Sequence, residues 1–237
     1  IISVDVVKLD KLMDLMGEMV IAEAMVTQNP ELKVMKLNSF YKAARQLQKI
    51  TGETQDMVMS IRMVPLSATF HKMRRIVRDM SRKLNKEVEL TLIGENTEVD
   101  KNIIEHVSDP LMHLVRNAID HGIESVDERV AAGKPRAGQV TLEAKNAGSD
   151  VLITIRDDGK GLNREKILKK AAKHGLVSKP EKEITDKEVY DLVLLPGFST
   201  NDSVTEFSGR GVGMDVVTKN LEAVGGAVSI DSTEGSG

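Results

Sequence analysis

The proline at position 65 constrains this chain more than any other residue, because the apolar pattern changes phase there. Upstream, Leu37, Phe40, Ala44, Leu47, Thr51, Thr54, Val58 and Ile61 advance by alternating steps of three and four, the spacing of a helix packed in a bundle. Downstream, Leu66, Phe70, Met73, Val77, Met80 and Leu84 form a second stripe that does not continue the first, so the two stretches face different cores. The residue before a proline is also biased away from the helical region. A boundary is therefore predicted at Val64–Pro65, giving a helical domain over 1–64 and a second domain over 65–237.

The first domain reads as two helices. Leu9, Leu12, Met13, Met16, Met19 and Val20 make one stripe, and TQNPEL supplies a turn around Pro30 before the second stripe begins. A hairpin of this kind leaves much of each stripe uncovered. A homodimer through residues 1–64 that closes a four-helix bundle is the natural way to bury it. Eight of the twelve methionines lie here, as adaptable filler for such a core.

After Pro65 the pattern is mixed. Val88, Leu90 and Leu92 alternate as a strand, 100–121 is helical, and Val140, Leu142 and Ala144, then Val151, Ile153 and Ile155, alternate as two more strands. Helices are expected over 164–174, about 186–194, and from Gly213 to Gly225, with GAVSID as a further strand. A chain without cysteine has no disulfide framework and no thiolate zinc site. A net charge of −3, two Tyr, four Phe and no Trp argue against a nucleic-acid binder. No apolar run approaches the roughly 20 residues that span a bilayer, so a soluble, cytoplasmic chain is expected. Because it starts at Ile1 and stops in an incomplete Gly-rich string, an excised fragment is expected too.

Three stretches carry chemistry. In HLVRNAIDHGIE, His113, Asn117, Asp120 and His121 share one side of a helix, with Leu111, Leu114, Val115, Ala118 and Gly122 on the other. A merely wet face would hold Lys, Glu, Gln or Arg; Asn, Asp and His are poorer helix formers with short directional heads. That face is aimed at a metal ion, a phosphate chain or a core network. The third strand ends in Asp157-Asp158-Gly159-Lys160-Gly161, where backbone can approach a ligand closely while a carboxylate accepts from a donor, although Asp-Gly turns are common as plain turns. Gly209-Arg210-Gly211-Val212-Gly213 precedes a helix whose N-terminus can bind phosphate. It fits neither the dinucleotide fingerprint nor the P-loop.

In order, H-x-x-x-N-A-x-D-H-G, D-x-G-x-G, F-S-T, G-x-G-x-G and T-E-G-S-G resemble the boxes of the ATP-binding domain shared by gyrase, Hsp90, histidine kinases and MutL, the GHKL superfamily, across most of 65–237. RNAIDHGIE, LPGFST, SGRGVGMDVV and the helical hairpin ending in RMVPL are most similar to the chemotaxis histidine kinase family. The resemblance implies α + α/β architecture: an antiparallel hairpin, then an α/β sandwich of the Bergerat type whose last strand is missing. It also implies site roles. Asn117 would hold Mg²⁺ against the triphosphate of ATP, with Asp120 beside it as an orienter, and Asp157 would accept from the adenine amino group above Gly159 and Gly161. His121 and Lys166 would contact phosphate oxygens. Ser199, Thr200, Gly209, Arg210, Gly211, Gly213 and Met214 would border a lid. His113 stands where related ATPases carry Glu, and would orient or deprotonate the nucleophile.

Ordinary sensor kinases carry a phosphoacceptor histidine in the dimerisation helix, whereas residues 1–64 contain none. The resemblance therefore implies a kinase that phosphorylates, in trans, a histidine on a separate phosphotransfer domain, with a coupling protein and chemoreceptors as partners of the full-length protein. The alternatives are an ATPase clamp of the Hsp90 or MutL type, against which His113 argues, and a non-catalytic dimeric scaffold that senses nucleotide.

Overall fold

The computed structural model describes residues 6–33, 38–177, 183–196, 198 and 214–237. The chain divides into two compact units, Ile1–Val64 and Pro65–Gly237. In the first, helices α1 (Val6–Thr27) and α3 (Asn38–Arg62) pack on each other through a turn that holds the four-residue α2 (Pro30–Lys33). Pro30 opens α2, where its missing N–H costs nothing. Tyr41 Oη donates to the Leu32 carbonyl at 2.8 Å and pins the turn, while Arg62 at the end of α3 pairs with Asp10 near the start of α1 at 3.3 Å. The hairpin is antiparallel.

Its apolar stripes are poorly covered by each other. Met16, Thr51 and Val58 are buried, whereas Leu12, Leu15, Met19, Leu47, Ile50 and Ile61 are exposed and Met57 stands 69% exposed.

A three-residue strand, β1 (Met63–Pro65), falls at the boundary between the units. The second unit opens with α4 (Ser67–Leu84), which buries Phe70, Met73, Val77 and Met80 along one face. Asn85, in the left-handed region at φ 52, stops α4 and turns the chain into β2 (Val88–Ile93). The short β3 (Glu98–Asp100) leads into α5 (Lys101–Asn117), whose first turn is capped by Asp100, its side chain accepting from the Asn102 N–H at 2.7 Å. A capping box of Ser125 and Glu128 opens α6 (Val126–Ala131). Then come β4 (Gly138–Ala147) and β5 (Asp150–Asp157), joined at Gly148, whose φ of 70 the tight turn requires.

The sheet order is β2-β4-β5. β2 runs parallel to β4 with Leu90 opposite Val140, and β4 antiparallel to β5 with Leu142 opposite Ile155. Val140, Leu142 and Ala144 are buried on the face that α4 and α5 cover. A smaller core lies beyond it, where Ile167, Leu168 and Ala171 of α7 (Arg164–Lys173) meet Val189 and Tyr190 of α8 (Asp186–Asp191) and Met214 at the head of α9 (Met214–Glu222). A helical hairpin followed by an α/β domain with a mixed sheet is the fold class the apolar patterns predict.

Two expectations need correction. GAVSID alternates in burial, Val228 and Ile230 half-buried between exposed neighbours, but forms no strand. Alternation makes a strand only where a ladder partner exists, and this tail is instead held downstream, where Leu162 N–H donates to Ser232 Oγ at 2.9 Å and Gly235 N–H to the Lys160 carbonyl at 2.8 Å. The helix expected over 100–121 is α-helical only to Asn117 and continues as a π-turn, Ala118–Gly122.

Candidate functional site

His113 and Asn117 lie one turn apart at the end of α5, both half-buried. The π-turn that follows closes with the Ile123 N–H donating to the Ala118 carbonyl at 2.8 Å, a five-residue step. The extra residue per turn ends the regular wheel, so Asp120, His121 and Gly122 do not keep the faces that α-helical spacing assigns them. Gly122, expected on the core side, instead meets the end of β5: a Cβ there would stand 2.8 Å from Asp157 Oδ1. His121 Nε2 lies 3.6 Å from Asp120 Oδ2.

A π-turn leaves carbonyls without helical partners, and Lys86 supplies them. Its Nζ donates to the carbonyls of Ile119, Asp120 and Ile123 at 2.8, 2.8 and 2.7 Å. An ammonium has three donors, and all three are used on this one turn. Burial pulls the Lys86 pKa down, and the Asp120 carboxylate opposes that shift.

Opposite the π-turn, the Asp157–Gly161 loop makes backbone contact with it. Lys160 N–H donates to the Gly122 carbonyl at 3.0 Å, and a Cβ on Gly159 would sit 2.1 Å from that same oxygen, so only glycine allows the approach. Asp157 Oδ1 accepts from the Gly159 N–H at 3.0 Å. Burial foremost, and then the charges of Asp158 and Glu124, push the Asp157 carboxyl above its ordinary pKa against the Gly159 hydrogen bond. Gly161, at φ 67, lies where a Cβ would strike the Thr233 carbonyl at 2.4 Å, so the TEGSG tail packs directly on the loop.

The loop is anchored from behind by a charge network that the sequence does not announce. Arg129, with no exposed surface, donates through Nη2 to Asp158 Oδ2 at 2.8 Å, through Nη1 to Glu124 Oε2 at 3.1 Å, and through Nε to the Pro135 carbonyl at 2.7 Å. Lys134 Nζ joins Glu124 Oε1 at 2.7 Å and the carbonyls of Asp158 and Gly159 at 2.9 and 2.7 Å. Asp158 also accepts from the Gln139 N–H at 2.8 Å, which ties the loop to β4. These partners hold the Asp158 carboxyl below its usual range despite burial. Removing one member of a buried pair strands the others. Arg129→Met should therefore lower unfolding free energy by about 3–5 kcal/mol, read from urea denaturation; a loss below about 1 kcal/mol would mean the network acts as a surface pair.

Asn117 Nδ2 donates to Met214 Sδ at 3.7 Å, which joins the α5 end to α9 and leaves the amide oxygen without a hydrogen-bond donor among the described residues. Burial foremost, with Arg116 and His121, lowers the His113 pKa below its ordinary value. Lys166 is exposed on α7, and its backbone N–H is taken by the Asn163 cap at 2.9 Å. Ser199, Thr200, Gly209, Arg210, Gly211 and Gly213 lie outside the described residues. The geometry thus brings together Asn117, Met214, Asp120, His121, Gly122, Asp157, Gly159 and Gly161. It adds Lys86, Glu124, Arg129, Lys134 and Asp158, of which the Ser125 capping box beside Arg129 gives the one sequence-level hint.

On a mixed sheet, the π-turn that continues the helix of Asn117 is set against an acidic strand end with close-packed glycines. Residues 106–237 match the family model described as histidine kinase-, DNA gyrase B-, and HSP90-like ATPase, and the chain belongs to that family. Residues 1–61 match the model described as signal transducing histidine kinase, homodimeric domain. Over its whole length the chain is 43% identical to "Chemotaxis protein CheA" of Bacillus subtilis (strain 168) and 47% identical to that of Salmonella typhimurium, covering 35% of each. It is 42% identical to "Sensor histidine kinase CheAY" of Helicobacter pylori, again with all of this chain matched and 30% of the relative. The chain spans about a third of the length of these relatives. Among the described residues no helix is long and apolar enough to cross a membrane.

Proposed function

We propose that the chain is the core of a histidine protein kinase of chemotaxis signalling, in which residues 65–237 bind Mg·ATP and pass its γ-phosphoryl group in trans to a histidine on a separate phosphotransfer domain. The observation that carries this reading is the meeting of Asp157 with Gly122 of the π-turn that follows α5: a half-buried carboxylate, one oxygen taken by the Gly159 N–H and the other without a donor among the described residues, on the turn that continues the helix of His113 and Asn117. The relatives' names and the match of 1–61 to a homodimeric kinase domain support it.

The donor set fits the group. The Asn117 amide oxygen, which has no donor among the described residues, is the kind of single oxygen that suits Mg²⁺, an ion that keeps waters and takes its remaining oxygens from phosphates. Mg·ATP supplies the reactive phosphoryl group. Asn117 would offer its amide oxygen to the metal, Asp157 would accept from the base, and Asp120 would orient His121 towards phosphate oxygens, with Lys166 as a further phosphate contact. His113, kept neutral by burial, takes or steers the proton of the incoming imidazole. The work is placed in the cytoplasm, with a coupling protein and chemoreceptors as partners of the longer protein.

Asp157→Asn separates base recognition from fold. It keeps an acceptor oxygen but weakens a charge-assisted bond, so ATP affinity measured calorimetrically should fall by about 1.5–3 kcal/mol while GTP binding should not fall in parallel. The folded pKa of Asp157 is raised, so the stability present below the unfolded carboxylate value is lost as pH rises through the folded one. The variant should therefore melt higher than wild type at pH 7 without nucleotide. Equal losses for ATP and GTP would mean that Asp157 holds the loop and not the base.

Residues 1–64 are proposed as the dimerisation domain. The exposed Leu12, Leu15, Met19, Leu47, Ile50 and Met57 carry the argument, as a monomer leaves this apolar surface in water. Sedimentation should give a dimer at micromolar concentration, and polar substitutions at about four of these positions should dissociate it, at roughly 2–5 kcal/mol for each truncated seam residue. A monomer for the intact chain would contradict the assignment.

A further inference from the structure

Helix α4 carries Lys72, Arg74, Arg75, Arg78, Arg82 and Lys83 against a single acid, Asp79, in a chain whose net charge is −3. The charge is not spread evenly. Arg74, Arg78 and Arg82 follow one another at one per turn and line a groove of about 370 Å³ between α4 and β2, floored by Val77, Ser81, Val88 and Leu90. Arg75 and Arg78 share Asp79 at 3.9 and 3.8 Å, while Arg74 and Arg82 form no ion pair among the described residues. The groove uses none of the residues assigned to the nucleotide.

Its far wall is an open sheet edge. In the order β2-β4-β5, β2 gives one side to β4 over all six residues from Val88 to Ile93, and among the described residues no strand pairs with its other side. An edge of this length without proline or bulge is a template for another strand.

We infer that this groove docks an extended acidic peptide segment of a partner protein, which adds to the β2 edge and sets carboxylates at alternate positions against the Arg74, Arg78 and Arg82 row. The dimensions agree: successive arginines rise by about 6 Å along the helix, and alternate residues of a strand by about 6.6 Å. Glutamate suits the floor, because its methylene stem lies over Val77, Val88 and Leu90 while its head reaches a guanidinium. An anionic single-stranded nucleic acid fits less well, since the groove offers no aromatic ring for base stacking.

The test uses the whole chain and a blocked (Glu-Thr)5 peptide, titrated by fluorescence anisotropy at low salt. Micromolar binding is expected, weakened at least tenfold by R74E/R78E/R82E, with the ATP affinity of that variant unchanged. The same peptide carrying N-methyl groups on alternate backbone nitrogens, which cannot join a strand edge, should lose binding as fully. Should the triple variant fold poorly, Arg78→Gln and the N-methylated peptide still decide. No binding below millimolar peptide, equal binding of the N-methylated form, indifference to the arginine changes, or tighter binding of a ten-nucleotide single strand would each overturn the inference.

Discussion

Asn117→Asp is expected to stop phosphoryl transfer. The side chain lies half-buried at the last turn of α5, with Nδ2 on Met214 Sδ at 3.7 Å, so its amide oxygen, which has no donor among the described residues, is the atom that the proposed reading gives to the metal. The substitution keeps an oxygen there but replaces the donor by a second oxygen. It cuts the link to α9 and adds a negative charge beside a triphosphate whose transition state spreads more charge over the same oxygens. Loss of one preorganised group of this kind costs roughly 10²–10³-fold, and a like charge at the metal should take the rate lower still. Nucleotide binding should weaken or change its Mg²⁺ dependence. Circular dichroism should be unaltered, because the exchange is isosteric. Wild-type turnover in the variant would remove Asn117 from the site.

His113→Ala should slow transfer by about 10²–10⁴-fold while leaving ATP affinity nearly intact, since a positioned base contributes mainly in the transition state. Burial, reinforced by the positive Arg116 and by His121, lowers the His113 pKa below its ordinary value of 6.5. The imidazole is therefore neutral at pH 7 and offers a lone pair. The sign fixes the profile: wild-type transfer should fall only as the pH drops below that lowered pKa, and the acid limb should vanish in the variant. Single-turnover rates across pH 5 to 8 measure this, and an unaffected rate would clear His113 of any role.

The sheet was legible because each strand keeps one face dry. Val88, Leu90 and Leu92, like Val140, Leu142 and Ala144, alternate with polar residues, and a one-residue slip would turn the whole set outward. GAVSID has the same alternation without a ladder, since periodicity reports the exposure of side chains and not the pairing of backbone. The site was half legible for a related reason. Asn117, Asp157 and Gly159 belong to contiguous motifs, and short motifs survive as strings. The π-turn breaks the periodicity on which helical faces are read. The groups that hold it act over long separations: Lys86 reaches carbonyls at 119, 120 and 123, and Arg129 clasps Asp158. A lysine after an αL asparagine and an arginine in a charged helix look like solvated surface in a string of letters. Burial and hydrogen bonding set them apart, and both are tertiary.

A kinase whose substrate histidine lies on another domain can be recognised in one labelling experiment. The chain is incubated with Mg²⁺ and γ-labelled ATP, alone and with an added histidine-bearing phosphotransfer domain from a relative, and label is followed on each polypeptide. Label is expected on the added domain only, stable to alkali and lost in acid as a phosphohistidine is, and none on the chain itself, whose residues 1–64 hold no histidine. Label appearing on this chain alone, or none on the added domain while ATP is bound, would contradict it.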